Sequence, residues 1–357
     1  SIIQVVYGLL SIIIVLMIIK YSKRLSSDLI WILLIMLFPL IGTLLYIILS
    51  NNMKRSKVLK NINENIENGQ KYLIQDEFIK KEIDTKNLGQ LKYISEFAGF
   101  PVTKNNEINY YSLGDDVYPV MLEELKKAKK FIFIEYFIIN NGTMWQEILD
   151  ILKEKANSGL DVRVLYDDMG SFAMLPSNYP KLLEKYGIKC MQFNKLSPFA
   201  GIIMNNRDHR KILIIDGNVA FSGGINLADE YINKKKKYGH WKDIGFKLTG
   251  TPVKSYNYMF IEFWNAFSNE KIDSNIINEC LSERKNENGY IISYYDSPAY
   301  KEHISNNLYI DLLSQAINYA WFYTPYLIIG DFLMDALIKA AERGVDVRIF
   351  IPGIPDK

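Results

Sequence analysis

Cysteine and histidine are scarce in this 357-residue sequence, which has only two cysteines and three histidines. Cys190 and Cys280 lie in no metal-binding or redox spacing, so the sequence supports neither a disulfide framework nor a zinc site. We expect both to be small, buried apolar side chains. An excess of charge of one sign is also missing, because 42 basic residues accompany 40 acidic ones. A net charge of +2 argues against a protein that binds nucleic acid through bulk charge.

Apolar residues concentrate at the beginning of the chain. Residues 2–19 are almost wholly apolar, residues 20–28 are polar, and residues 29–49 are apolar again without a charge. Each apolar run approaches the roughly 20 residues that cross a bilayer as a helix, so we predict two transmembrane helices as a membrane anchor over residues 1–50. The alternative is a buried helical hairpin. Four basic residues soon after the second run, against three between the runs, slightly favour a multi-pass protein of the cell membrane with a cytoplasmic main domain.

A polar linker is predicted over residues 51–109, and beyond it one pattern occurs twice. A strand-like run, a helical pattern, a glycine and another strand-like run follow one another over residues 131–166 and again over residues 319–350. Both copies contain Gly-x-Asp-Val-Arg, beginning at Gly159 and at Gly344. Strands that alternate with helices indicate α/β layers around a largely parallel sheet.

The shared pattern predicts a duplicated domain. We place a first α/β domain at residues 110–285 and the start of a second, similar one at residues 286–357. The alternative is a chance likeness between two strand–helix–strand units.

A β-hairpin is predicted between the two copies, because one apolar run ends at Gly217-Asn218 and another short run follows. Residues two apart in a strand share a face. His209 and Lys211 therefore point the same way, and Asp216 points to the other face.

The residues that follow the hairpin complete a pattern suited to phosphoryl transfer. Gly223 and Gly224 let the backbone turn tightly and approach a ligand closely, and Asn226 follows them. A neutral imidazole can attack phosphorus and form a covalent intermediate. An ammonium and an amide can stabilise the phosphoryl oxygens, so we expect neither a metal nor a cofactor.

The complete set of motif residues resembles the signature of the phospholipase D superfamily: His209, Lys211, Asp216, Gly223, Gly224 and Asn226. The resemblance implies that His209 is the nucleophile and that Lys211 and Asn226 bind phosphate. It implies a structural role for Asp216 within the catalytic motif. We place Gly223 and Gly224 at the substrate with Lys211 and Asn226.

Two further acids are candidates for supporting roles. Asp243 follows His240-Trp-Lys, and this segment resembles the family's Trp-x-Asp, whose acid hydrogen-bonds the catalytic histidine. The alternative for Asp243 is a solvated carboxylate at a strand end. Glu135 lies inside an apolar strand, where acids are rarely without a role. It either lies near His209 at the catalytic end of the strand or forms a salt bridge with a neighbour.

The stretch that begins Trp321-Phe-Tyr-Thr-Pro-Tyr resembles bacterial cardiolipin synthases, as does the apolar leader. The likeness implies α/β/α sandwich repeats of the phospholipase D type, preceded by two transmembrane helices. In the family, two such motifs meet to form one site, and the second histidine is the general acid. The repeat spacing places a second motif beyond Lys357, so we expect this chain to carry half of a site.

The resemblance implies an enzyme that acts on membrane phospholipids. It would transfer a phosphatidyl group from one phosphatidylglycerol to a second and release glycerol. A membrane-anchored hydrolase, either lipase or nuclease, and an inactive lipid-binding protein are the alternatives. We expect no nucleic-acid partner, and a homo-oligomer is left open.

Overall fold

The computed structural model of the chain describes residues 2–21, 25–49, 60, 62, 64, 66, 70–86, 88–104, 106–195, 207–279, 289–297, 300 and 302–354. The described residues form two compact units. The first unit extends to Lys60 and the second begins at Ile62.

The first unit contains three apolar helices, α1 (Ile2–Tyr21), α2 (Leu25–Leu37) and α3 (Pro39–Leu49). The second apolar run of the sequence is therefore interrupted, because Pro39 begins a new helix. Gly42 allows the bend: a methyl group there would lie 2.5 Å from the carbonyl oxygen of Leu34. Across the helices, the hydroxyl oxygens of Ser11 and Thr43 lie 3.1 Å apart.

None of the helices in the described part of the chain combines the length and apolar character needed to span a membrane. The prediction of two transmembrane helices is therefore not confirmed.

The second unit is built on a seven-stranded mixed sheet with the strand order β1-β7-β6-β5-β2-β3-β4. Strands β2, β3 and β4 pair in parallel, whereas β1, β7, β6, β5 and β2 pair antiparallel along the sheet. The strands are β1 (Asn106–Tyr111), β2 (Phe131–Tyr136), β3 (Asp161–Asp167), β4 (Lys189–Phe193), β5 (Lys211–Ile215), β6 (Val219–Gly223) and β7 (Gly245–Gly250).

Helices cover both faces of this sheet, as the α/β prediction requires. Their bounds are α4 (Glu77–Thr85), α5 (Gly89–Ala98), α6 (Gly114–Lys127), α7 (Thr143–Asn157), α8 (Asp168–Ser171), α9 (Tyr179–Glu184), α10 (Val253–Phe267), α11 (Ile276–Glu279), α12 (Ile304–Gln315) and α13 (Asp331–Glu342). Alternate residues of β2 divide the apolar core: Ile132 and Ile134 pack against α6 and α7, while Phe131 and Phe133 pack against α10. The result is an α/β/α sandwich.

A second, two-stranded parallel sheet joins β8 (Tyr319–Tyr323) to β9 (Asp346–Phe350), with α13 between them in sequence. It repeats the arrangement of β2, α7 and β3 in detail. Gly159 and Gly344 precede the second strand of each copy with φ of 91° and 89°. An aspartate–arginine ion pair follows each glycine, at 2.8 Å in the first copy and 2.9 Å in the second. The assignment of two separate phospholipase D-like domains, with their boundaries, stays a prediction.

Of the two cysteines, only Cys190 lies within the described residues. Cys190 lies on β4 as a free, half-buried thiol, and its burial raises the pKa of the thiol. Cys280 lies outside the described residues.

Candidate active site

The predicted hairpin is present as β5 and β6, joined by a tight turn. Asp216 and Gly217 both have positive φ, at 51° and 69°, and the Asn218 amide donates to the Ile215 carbonyl oxygen at 3.1 Å. Asp-Gly with two positive φ angles is typical of a type I′ hairpin turn. The turn lies at the far end of β5 from His209.

Asp216 binds the beginning of β2. Its carboxylate accepts hydrogen bonds from the backbone amides of Lys129, Lys130 and Phe131, at 2.8, 2.6 and 3.0 Å. Asp216 therefore joins the start of β2 to the end of β5 and does not line the pocket described below. This geometry supports the structural role implied by the family resemblance.

Replacing Asp216 by alanine should lower stability and leave the chemistry intact. Three amides lose a charged acceptor and the turn loses a residue that tolerates positive φ, which we expect to cost about 2 kcal/mol of unfolding free energy. Thermal unfolding of the purified variant measures this, with Asp216→Asn as a milder control. Loss of transfer activity at unchanged stability would contradict the structural role.

A pocket of about 420 Å³ lies at the opposite end of the hairpin. It is lined by His209, Arg210, Lys211, Ile212, Ser222, Gly223, Gly224, Asp243, Tyr256, Met259, Tyr294, Tyr295, Tyr323 and Pro325. The motif residues His209, Lys211, Gly223 and Gly224 are therefore brought together with Asp243, as the sequence predicts.

His209 and Lys211 form the centre of this pocket. His209 is exposed, whereas Lys211 is 6% exposed. The ammonium Nζ of Lys211 lies 3.2 Å from His209 Nδ1 and donates to the His209 carbonyl oxygen at 2.6 Å. The ring of Phe137 lies against the imidazole, with the ring centroids 4.9 Å apart. An accessible imidazole thus stands beside a fixed, largely desolvated cation.

Burial makes the ammonium of Lys211 more acidic. Desolvation lowers the pKa of Lys211 to about 8, against the opposing effects of Asp208 and Asp243. The group is still mainly protonated at neutral pH. A phosphodiester anion bound in the pocket would favour the ammonium further.

Gly223 and Gly224 bring the end of β6 against the segment that contains Asp243. A methyl group on Gly223 would lie 2.3 Å from the Ile244 carbonyl oxygen, and one on Gly224 would overlap the Asp243 carboxylate. The two glycines are thus needed for close packing inside the protein, in addition to lining the pocket.

Asp243 is held at the pocket by local hydrogen bonds. Its carboxylate accepts from the Ile244 amide at 2.8 Å and from the Trp241 indole at 3.5 Å. Burial raises the pKa of Asp243, and these two hydrogen bonds and Lys211 oppose that effect. A hydrogen bond from His209 to Asp243 stays a prediction.

Asn226 does not line the pocket. It is 3% exposed, its Oδ1 accepts from the Ile138 amide at 3.0 Å, and its Nδ2 donates to the Tyr231 hydroxyl at 2.9 Å. These contacts tie the segment after β6 to the end of β2. Its role as a phosphate ligand stays a prediction.

Glu135 lies on the other face of the sheet from Lys211. It is paired with Ile212 in the β2–β5 register, whereas Lys211 is paired with Tyr136. Its carboxyl lies 2.6 Å from Arg210 Nε and is fully buried. Of the two readings left open by the sequence, the salt bridge is the one that the structure contains.

Sequence reasoning missed several residues at the site. Arg210 and Asp208 stand within the motif itself, but their contacts with Glu135 depend on strand register. Tyr256 and Met259 come from α10, and Tyr323 and Pro325 come from the Trp321-Phe-Tyr-Thr-Pro stretch. That aromatic stretch was a signal of family resemblance but gave no indication of its place in the fold.

Comparison with known proteins gives the family. Residues 121–239 match the family model described as cardiolipin synthase, PLD-like domain, and residues 9–51 match the phospholipase D-nuclease N-terminal model. A cardiolipin synthase of Alkalihalophilus pseudofirmus is 30% identical over 363 residues, covering 99% of this chain and 71% of that protein. One of Oceanobacillus iheyensis is 31% identical over 341 residues, covering 93% and 70%.

The fold has a similar solved structure. Phosphatidylserine synthase of Haemophilus influenzae matches with a TM-score of 0.50 at 16% identity, over 73% of this chain and 65% of that one. The likeness bears on the fold alone, and it supports a mixed α/β fold.

Together these findings define a phosphatidyltransferase of the phospholipase D type. The chain belongs to the cardiolipin synthase family, which confirms the resemblance drawn from the motif.

Proposed function

We propose that this protein makes cardiolipin by transferring a phosphatidyl group from one phosphatidylglycerol to a second, through a covalent intermediate on His209. The observation that carries the proposal is the accessible imidazole of His209 beside the buried ammonium of Lys211, in a pocket of about 420 Å³.

The first half of the reaction forms the intermediate. A ring nitrogen of His209 attacks phosphorus, the phosphorus–oxygen bond to the headgroup glycerol breaks, and that oxygen takes a proton as glycerol leaves. In the second half, a headgroup hydroxyl of another phosphatidylglycerol attacks phosphorus and gives up its proton, and the phosphorus–nitrogen bond breaks. The predicted second motif would supply the acid and base.

The other site residues support these steps. Lys211 stabilises the phosphoryl oxygens as negative charge develops on them. Asp243 would orient the imidazole from the wall of the pocket. Gly223 and Gly224 hold Asp243 close to the hairpin. For Asn226 we propose a supporting role through Ile138 and Tyr231 instead of direct phosphate binding.

A membrane location fits this chemistry, because both substrates are lipids. The apolar helices α1, α2 and α3 and the match of residues 9–51 to the N-terminal family model support association with the cell membrane. We propose a multi-pass arrangement with the catalytic unit on the cytoplasmic side.

Product analysis separates transfer from hydrolysis. The full-length protein is incubated in vesicles with phosphatidylglycerol labelled in both its diacylglycerol part and its headgroup glycerol. We expect cardiolipin and free glycerol in equal amounts, and the same rate in the presence of a chelator because Lys211 supplies the cation. Phosphatidic acid as the main product would show that water is the acceptor, and no turnover would favour an inactive lipid-binding protein.

A further inference from the structure

Arg210 stands between His209 and Lys211 in the sequence and lines the pocket with them, but its side chain extends towards the face of the sheet opposite to Lys211. Its Nε lies 2.6 Å from Glu135 Oε1, and Glu135 is on the face opposite to Lys211. The guanidinium carbon lies 4.3 Å from the centre of the Phe263 ring and 5.0 Å from that of Tyr295. Arg210 is therefore enclosed between β2 and aromatic side chains.

Asp208 completes this group from the other side of His209. It is 4% exposed, and its Oδ1 accepts from Arg210 Nε at 3.0 Å. Its backbone amide donates to Asp167 Oδ2 at 3.0 Å, and Asp167 is fully buried at the end of β3. Both neighbours of His209 in the sequence are thus fixed. Arg210 is held by its side chain, and Asp208 is held by its side chain and its backbone amide.

The charges in this buried group do not balance if every acid is ionised. Glu135 and Asp208 flank one guanidinium, and Glu262 lies nearby on α10. Burial raises the pKa of Glu135 well above its ordinary value; Arg210 opposes this, and Asp208 adds to it through its charge and a hydrogen bond. Burial beside a second acid therefore favours the protonated form of Glu135.

Glu262 belongs to the same surroundings but is held by a different partner. Its Oε2 accepts from the Tyr295 hydroxyl at 2.7 Å. Burial raises the pKa of Glu262 to about 7, against the effects of Tyr295 and Arg210. It does not flank His209 in the sequence and so serves as a matched buried acid for comparison.

We propose that Glu135, Asp208 and Arg210 form a positioning cluster that holds the imidazole of His209 in the geometry of attack. Because side chains alternate along extended backbone, fixing Arg210 on one side of the chain directs its neighbours His209 and Lys211 to the other. All three residues line the pocket. The exposed imidazole would owe its orientation to this buried cluster beside the pocket, because a side chain that contacts substrate is held in place by the residues that support it. This inference rests on the proposed role of His209 as nucleophile.

The test compares substitutions in the full-length protein assayed with phosphatidylglycerol vesicles. Glu135→Gln keeps a neutral side chain that donates a hydrogen bond, so it should keep a rate close to that of the wild type. Glu135→Leu and Asp208→Asn should each lower kcat about 100-fold through misplacement of the imidazole, with KM little changed. Glu262→Gln, the matched control, should leave kcat close to the wild-type value.

Two further measurements separate positioning from general stability. Thermal unfolding gives the fraction of each variant that is folded at the assay temperature, and each measured rate is divided by that fraction. In infrared spectra, the stretching band of a protonated carboxyl should be weaker in Glu135→Gln than in the wild type. If Glu135→Leu does not fold, Glu135→Gln and Asp208→Asn still decide the question.

Several outcomes would overturn the proposal. A loss of rate in Glu135→Gln as large as in Asp208→Asn would show that a charged Glu135 is required. A normal kcat per folded molecule in Asp208→Asn would show that the group serves stability alone. Failure of the proposed function would look different, because the wild type would then form no cardiolipin or His209→Ala would remain active.

Discussion

Replacing His209 by alanine in the full-length protein should abolish cardiolipin formation. Removing a nucleophile from a site that works through a covalent intermediate lowers the rate by about 10⁴-fold or more. His209 is exposed, so its loss should leave the fold and the thermal unfolding temperature close to those of the wild type. The rate of cardiolipin formation from labelled phosphatidylglycerol, measured for both proteins, checks this.

His240→Ala is the matched control for this experiment. His240 is also exposed, but it does not line the pocket, so its loss should leave the rate close to that of the wild type. The wild type should also become labelled at a histidine when the reaction with phosphatidylglycerol is stopped rapidly, and His209→Ala should not. Turnover by His209→Ala near the wild-type rate would refute the assignment of the nucleophile.

The motif hairpin and the repeated unit could be predicted because both depend on local patterns. The turn at Asp216-Gly217, the alternation that places His209 with Lys211, and the glycines that end α7 and α13 are all set within a few residues. Local rules of this kind need no knowledge of which strands are neighbours. The same reasoning placed Asp216 on the face opposite to His209; its carboxylate accepts hydrogen bonds from the amides at the start of β2.

The contacts of Glu135 could not be predicted in this way. The sequence places it in an apolar strand, but only the β2–β5 register decides which motif residue it meets. A shift of one residue would turn every side chain of β2 to the opposite face and move Glu135 to the face of Lys211. The tyrosines that line the pocket depend in the same way on the packing of distant segments, namely α10, residues 294–295 and the end of β8.

The break between α2 and α3 shows a second limit of prediction from sequence. The apolar character of residues 29–49 dominated the prediction of one continuous helix, although Pro39 lies in its middle. Proline cannot donate the backbone hydrogen bond and disfavours helical geometry in the residue before it. Phe38 is the residue at which the helix is interrupted.

Lys211→Met should reduce kcat by about 10²–10³-fold, the usual effect of removing one group that stabilises charge in the transition state. Methionine keeps much of the length and apolar stem of lysine and removes the ammonium. It also removes the hydrogen bond from Nζ to the His209 carbonyl oxygen, so thermal unfolding must be measured beside the rate. A wild-type kcat in a folded Lys211→Met protein would show that the cation is not part of the chemistry.

The pH dependence tests the same residue without a substitution. The pKa of Lys211 is lowered to about 8, so the ammonium predominates below that pH and is lost as the pH rises through it. In the wild type, kcat/KM should therefore fall roughly tenfold per pH unit above about 8, because it reports the free enzyme. The corresponding fall in kcat should occur at higher pH, since a bound phosphodiester favours the charged form of Lys211. Lys211→Met has no ammonium to lose, so its kcat/KM should lack this alkaline fall. If the variant retains the fall, another group is responsible for it. A wild-type profile without the fall would contradict the requirement for an ammonium at Lys211.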